Sequence, residues 1–254
     1  MINCIPMAGE GRRFKEAGFK LPKPLIGVDK KAMVVQACGC LPAASRWIFI
    51  CRSEHCRDFG LDKILRENFK PCEVVIIDNP TQGAVCTCLC ADSVIPDEEE
   101  LLISACDNAM RWDRPGYERL LKDGSVAAVI WTFRNNATVK RNPRMYGWVA
   151  VDGSGLAKKV SCKVPISGNP VNDHAIVGTF YFRKGRYFKE AARALIRKDR
   201  RVNNEFYVDE LMNELIEAGM KVAVFEIDKY VCWGTPDDLK AYEYWSKFFA
   251  SLKG

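Results

Sequence analysis

Short apolar runs rich in β-branched residues recur along the chain, at 1–6, 47–51, 73–77, 101–105, 126–132, 177–182 and 222–226. Stretches with helical spacing lie between several of them. Strands that are apolar throughout, alternating with helices, predict a largely parallel sheet covered on both faces. Two helices are well marked. At 208–218 the apolar residues Val208, Leu211, Met212, Leu215 and Ile216 follow i, i+3, i+4, i+7, i+8 spacing, and Gly219 stops them. The last helix opens on Thr235 as its cap, then Pro236, with Asp237 and Asp238 in the first turn, where the helix dipole favours acids. Residues 134–172 read differently, as two strand-like pieces at 146–151 and 158–164 broken by Gly, Pro and Asn. The pattern predicts a Rossmann-like three-layer α/β/α domain over 1–254, with a mostly parallel mixed sheet and an inserted antiparallel β lobe at about 134–172.

Composition narrows the class. The chain has 254 residues, 48% of them hydrophobic and 28% charged, as in an ordinary globular protein. It contains no run of 18 apolar residues and no signal-peptide pattern, which predicts a cytoplasmic protein without membrane contact. The net charge of +6 suits an anionic small molecule as well as it suits weak nucleic-acid contact. The strongest basic run, Arg197-Lys198-Asp199-Arg200-Arg201, reads as the solvated end of a helix, and no nucleic-acid partner is expected. None of the twelve cysteines forms a C-x-x-C pair, and many sit in apolar runs, so they read as reduced core thiols. His55 and His174 have no nucleophile partner in the sequence.

The candidate chemistry begins where the first strand ends. Met7-Ala8-Gly9-Glu10-Gly11-Arg12-Arg13 is a tight glycine turn whose backbone N–H groups can surround an anion, and Pro22-Lys23-Pro24-Leu25 follows. Arg12, Arg13 and Lys23 add full charge, and the whole reads as a phosphate cradle. It is not a Walker A loop, because no Gly-Lys-Ser/Thr follows. It is not a dinucleotide fingerprint either, since Phe14 stands where a third glycine belongs. The apolar run 101–105 then delivers Asp107, at the strand end where ligands gather in open α/β sheets, as a candidate Mg²⁺ ligand beside the phosphates. The turn Pro80-Thr81-Gln82-Gly83 opens another helix-like run.

These motifs resemble the sugar-nucleotidyltransferase family, whose signature loop reads roughly L-A-x-G-x-G-T/S-R followed by P-K-P-L. Arg12 stands where that family usually has Thr or Ser. The resemblance implies a GT-A-like fold, with Ala8, Gly9, Gly11, Arg12, Arg13, Lys23, Gln82, Gly83 and Asp107 around the nucleotide and Arg13 and Lys23 on its phosphates. Cys106-Asp107-Asn108 takes the place of the family's Gly-Asp-Asn, with Asp107 on Mg²⁺ and Asn108 toward the acceptor. Tyr146-Gly147-Trp148 and Lys163-Val164-Pro165 resemble the strand and the Lys-Pro that line the acceptor pocket, which assigns Gly147 and Lys163 there; an exposed strand lysine is the competing reading of Lys163. Glu205 matches a family glutamate before a helix and is either an acceptor ligand or a cap. Trp233-Gly234-Thr235-Pro236 matches the closing motif, but Cys232 occupies the position of the family's second metal carboxylate. Asp228 is the substitute this reading assigns.

The implied reaction joins the nucleoside monophosphate of an NTP to a phosphorylated acceptor, most simply a sugar 1-phosphate, with release of pyrophosphate. Arg13, Lys23 and Lys163 would neutralise charge. A cytidylyltransferase for a small phosphate or phosphonate, resembling those for phosphocholine, and a non-catalytic sugar-nucleotide-binding regulator are the alternatives. A glycosyltransferase would want Asp-x-Asp, but position 109 is Ala. The sequence leaves a homo-oligomer open.

Overall fold

The computed structural model describes residues 1–252. The chain runs β1 (Ile2–Met7), α1 (Arg12–Glu16), the hairpin β2 (Gly27–Val28) and β3 (Lys31–Ala32), α2 (Met33–Cys38), β4 (Arg46–Arg52), α3 (Ser53–Phe59), α4 (Leu61–Asn68) and β5 (Cys72–Ile77). It continues through α5 (Ala84–Leu89), β6 (Leu101–Ser104), β7 (Asn108–Arg111), α6 (Arg114–Lys122), β8 (Val126–Phe133), β9 (Gly147–Val151), β10 (Ala157–Cys162) and β11 (His174–Phe182). The last part is α7 (Gly185–Arg197), α8 (Val208–Glu217), β12 (Lys221–Glu226), β13 (Lys229–Cys232) and α9 (Pro236–Ser251).

β5, β4, β1 and β6 pair in that order and in parallel. β11 then runs antiparallel between β6 and β8, and β12 closes the far edge parallel to β8. β11 is long enough to take two neighbours end to end on one side. Its C-terminal half pairs with β6, and His174 and Ala175 pair with β9, which carries β10 outward. The register breaks between Ile176 and Phe180, around Gly178 at φ 93°. The excursion after β8 therefore extends the main sheet. A separate two-stranded ribbon, β7 with β13, projects beyond the end of β6.

The strands are apolar throughout because both faces are covered. On one face Cys4, Ile48, Ile50, Leu101 and Ile103 pack with Val85 and Cys88 of α5, Phe188 of α7 and Leu211 of α8. On the other, Ile5, Phe49 and Cys51 meet Val34, Leu61 and Leu65 of α2 and α4. Further along that face, Trp131 lies 4.7 Å from Tyr117 of α6 and 5.0 Å from Phe225, ring centre to ring centre. None of the twelve cysteines is in a disulfide, and half are buried among these apolar side chains. Among the described residues, no helix is long and apolar enough to cross a membrane.

The basic run is the exposed end of α7, as expected, and there Lys198 and Arg200 also pair with Glu214 and Glu217 and tie α7 to α8. One expectation changes. Lys163 and Val164 are not strand residues, because β10 stops at Cys162 and Lys163 turns to φ 63°.

Trp131 is fully buried among aromatic rings. Trp131→Ala leaves a void that neighbouring rings fill poorly and should cost about 3–5 kcal/mol, read as a lower urea midpoint with an unchanged slope.

Candidate active site

The loop after β1 turns on Gly11, which caps α1 at φ 62° and places Arg12 and Arg13 at the start of that helix. The amides of Gly9, Glu10, Gly11 and Arg12 have no backbone acceptor among the described residues. These four residues line a cleft of about 670 Å³ at the C-terminal end of the parallel strands, within the size range of small-molecule sites. Ala8, Gly9, Gly11, Arg12, Arg13, Lys23, Gly83, Asp107 and Glu205 all line it. A loop of unpartnered amides beside two guanidinium groups is a binding surface for anions.

Lys23 and Asp107 form an ion pair in the cleft, with side chains only 21% and 25% exposed. Burial alone would push the Asp107 carboxyl up, but Lys23 and, more weakly, Arg13 outweigh it and hold it below the usual carboxylate range. Burial pulls the Lys23 ammonium down, and Asp107 more than restores it. Both groups are therefore charged at neutral pH. Folding stability from the depressed carboxyl is present above its ordinary pKa and is lost only as pH falls through the lower folded value.

The β7–β13 ribbon brings the closing motif to the same place. Cys232 pairs with Asn108, and the Trp233 amide donates to the Asp107 carbonyl at 2.8 Å. The Gly234 amide donates to the Cys232 sulfur at 3.3 Å, and a Cβ at Gly234 would lie 3.1 Å from Asp107 Oδ2 and 3.2 Å from Cys232 Sγ. Burial and the Asp107 charge push the Cys232 thiol up to about 12; burial likewise raises Cys106 to about 12. Both are neutral thiols at pH 7. Among the described residues, no three His, Cys, Asp or Glu side chains converge on a possible metal position. Beside these thiols Asp107 offers one hard carboxylate oxygen donor, so the set fits Mg²⁺ only if phosphate oxygens and water complete it.

Asp228 does not join Asp107. Its amide donates to the Arg111 carbonyl at 2.9 Å, and it lines a separate polar groove with Arg134, Glu226 and Lys229. Four residues of extended strand, about 13 Å, separate it from Cys232. Chain proximity to Cys232 suggested a substitute ligand, but strand geometry puts the two at opposite ends of the ribbon.

The turn before α5 lies flat on the segment that carries Glu205. The Phe206 amide donates to the Gln82 carbonyl at 2.8 Å, and the Val85 amide donates back to the Phe206 carbonyl at 3.1 Å. Gly83, at φ 114°, has no room for a side chain: a Cβ would come within 2.6 Å of Phe206 N. Thr81 and Thr87, which the sequence reading passed over, also line the cleft and meet through their hydroxyls at 2.6 Å. The Gln82 side chain is exposed and outside the cleft lining.

The residues assigned to the acceptor divide. Asn108 is buried, and its amide donates to the Val177 carbonyl at 3.2 Å, fastening the strand end to β11. Gly147 and Lys163 lie outside the cleft lining, in a neighbouring cluster with Asp209 and Tyr207. A Cβ on Gly147 would strike the Asp209 carboxylate at 2.1 Å. Burial raises the Asp209 carboxyl, and Lys163 opposes the shift. The Lys163 ammonium sits 5.2 Å from the Tyr207 ring centre and donates to the Met145 carbonyl. Asp209 lies four residues after Glu205, in the first turn of α8, and that short spacing was the available signal for it in the sequence. His55 and His174 are both outside the cleft lining.

No protein-family model matches the chain, and no curated protein matches it significantly. Solved structures do. A nucleoside-diphosphate-sugar pyrophosphorylase from Vibrio cholerae RC9 superposes with a TM-score of 0.77 at 20% identity, covering 95% of this chain and 99% of that one. An inositol-1-phosphate CTP transferase from T. maritima gives 0.74 at 16% identity over 97% and 95%. The chain has the fold of these nucleotidyltransferases along nearly its whole length.

The two loop glycines should respond in opposite ways. A Cβ at Gly9 meets nothing within 4 Å, so Gly9→Ala should change stability by less than about 0.5 kcal/mol. Gly83→Ala collides with backbone and should cost more than about 2 kcal/mol, seen as a lower midpoint in chemical denaturation. Equal melting of the two variants would show that the turn at Gly83 is not seated on Phe206.

Proposed function

We propose that the protein is a nucleotidyltransferase, joining the nucleoside monophosphate of an NTP to a phosphorylated acceptor and releasing pyrophosphate. One observation carries the reading: free loop amides, Arg12, Arg13 and the Lys23–Asp107 pair meet in a single cleft at the C-terminal ends of parallel strands. The fold shared with nucleotidyltransferases supports it. The acceptor phosphate is already an anion, so no protein nucleophile is required, in keeping with histidines that stand away from the cleft. An acceptor oxygen bonds to the α-phosphorus as the bond from that phosphorus to the bridging oxygen of the β-phosphate breaks, and pyrophosphate leaves with the electron pair. The loop amides hold the triphosphate. Arg13 and Lys23 offset the charge that grows on the leaving oxygens, the kind of preorganised contribution that dominates such chemistry. When bound, a Mg²⁺ ion held by Asp107 and the phosphates would supply further charge neutralisation.

The acceptor enters, in this reading, from the Gly147 side, where Lys163 faces its phosphate. The Asp209 carboxylate there, beside a glycine that leaves it room, suits a hydroxylated acceptor such as a sugar or cyclitol phosphate. The T. maritima neighbour, an inositol-1-phosphate CTP transferase, is in keeping with that class.

The test is pyrophosphate release with each of four NTPs against a panel of glucose 1-phosphate, inositol 1-phosphate and phosphocholine. The wild type should turn over at least one pair in the presence of Mg²⁺. Asp107→Ala should lose at least about 100-fold in kcat, and Arg13→Ala and Lys23→Ala should lower kcat more than they raise KM for the NTP. Asp228→Asn, remote from the cleft, should turn over like the wild type. Nucleotide binding by the wild type without turnover of any pair would instead make the protein a sugar-nucleotide-binding regulator.

A further inference from the structure

The C-terminal helix presents an apolar face that nothing among the described residues covers. α9 is anchored at its start: Thr235 caps it by accepting from the Asp238 amide, Leu239 is buried, and Tyr242 packs on Trp233 at 5.5 Å and donates to Asp29 of the β2–β3 turn. Beyond Tyr242, Ser246 still donates to Asp29 at 3.4 Å, while the apolar side chains from Tyr244 onward stand clear. Tyr244, Trp245, Phe248, Phe249 and Leu252 are 65%, 53%, 44%, 56% and 67% exposed. With Ala241 they recur at i, i+3, i+4, i+7, i+8, i+11, a single stripe of helical period. The rings touch one another, with Trp245 5.2 Å from Tyr244, 5.8 Å from Phe248 and 6.0 Å from Phe249. They form one continuous aromatic surface.

We infer that this stripe is the interface between two copies of the chain, packed helix against helix across a twofold axis. Two observations select a second copy. The first is area. At about 200 Å² per aromatic side chain, the exposed stripe is on the order of 500 Å², near the upper end for a monomer's largest apolar patch. Two such stripes facing each other remove roughly 1,000 Å² from water, where specific interfaces begin. A twofold contact uses the same patch on both copies, and a stripe at helical spacing is self-complementary in this way. The second is charge. The rest of α9 carries Asp237, Asp238 and Glu243 against Lys240 and Lys247. Adding Asp29, Lys30 and Lys31 of the adjoining turn only brings the balance to zero. A helix that lies on an anionic lipid surface carries mostly Lys and Arg on its polar face, whereas balanced charges leave two copies free to approach.

The experiment is sedimentation equilibrium of the wild type and of the Trp245→Glu/Phe248→Glu double variant, with a photo-crosslinking amino acid placed at Tyr244 in a third sample. The wild type should sediment at twice its chain mass of 28.7 kDa and the double variant at the single mass. The Tyr244 probe should link one copy to another. The double variant should keep the wild-type far-ultraviolet circular dichroism, because both replaced side chains are exposed within one chain, and its thermal midpoint should lose the dependence on protein concentration that the paired wild type shows. A wild type that sediments as a single chain overturns the inference, and flotation of that single chain with phosphatidylcholine/phosphatidylserine vesicles would assign the stripe to lipid instead. A double variant that still pairs places the interface elsewhere and overturns it equally. None of these outcomes bears on nucleotidyl transfer, since the stripe contributes no residue to the cleft.

Discussion

The Lys23–Asp107 ion pair is the constraint around which the site is arranged. It joins a segment that follows the first strand to the end of β6, 84 residues later in the chain, in a place where both side chains are largely shielded from water. Burial pushes the carboxyl up and the ammonium down, and their mutual attraction, with Arg13 adding to it at Asp107, more than offsets both shifts. Deleting one partner leaves the other as an uncompensated charge in a poorly solvated position, which is the costly case for buried pairs. The pair therefore does two things at once. It pins the Lys23 segment, which packs beside Gly11, to the sheet end, and it holds a cation and an anion of opposite sign to those that a triphosphate and its counter-ion would bring.

The sheet explains why those charges can stand together. Parallel pairing of β5, β4, β1 and β6 sends every C-terminal end to one edge, and β11 enters antiparallel beside β6. The break at Gly178 lets β11 exchange β6 for β9, so the strand beside β6 also carries the Gly147 segment. The β7–β13 ribbon then folds the chain's last strand back onto Asp107. One long strand and one short ribbon thus bring together residues from the start, middle and end of the sequence.

Much of this was legible beforehand. Strands covered on both faces leave uninterrupted apolar runs, and β4, β5, β8 and β12 were visible within a residue or two for that reason. The capped helix at Pro236 and the amphipathic α8 were equally clear. The glycine loop, Lys23 and Asp107 announce themselves through residue types rare in that combination, and they do share one cleft. What was hidden depends on short pairings. β7 and β13 are four-residue strands with no apolar pattern to mark them, so nothing in the sequence revealed that Asp228 and Cys232 point to opposite ends of a ribbon. The turn at Lys163 was hidden in the same way, because a lysine following a strand gives no sign of a left-handed backbone. Asn108, an apparent ligand, is an internal fastener, since its amide satisfies a carbonyl of the next strand.

The replacements that distinguish this chain from the motif it resembles share a physical direction. Arg12 adds a cation at the mouth of the cleft where a small hydroxyl side chain is usual. Cys232 and Cys106 are neutral thiols, raised by burial and by the neighbouring carboxylate, so neither contributes an anion near Asp107. The cleft thus gains positive charge on one side and lacks a second carboxylate on the other. Its one buried carboxylate is already balanced by Lys23, which leaves Arg12 and Arg13 available to a ligand, against the exposed Glu10 and Glu205 at the rim. For the proposed polyanionic substrate, such a balance would rest less on a protein-held metal and more on the guanidinium groups and loop amides, which would shift the burden of recognition onto the first loop of the fold.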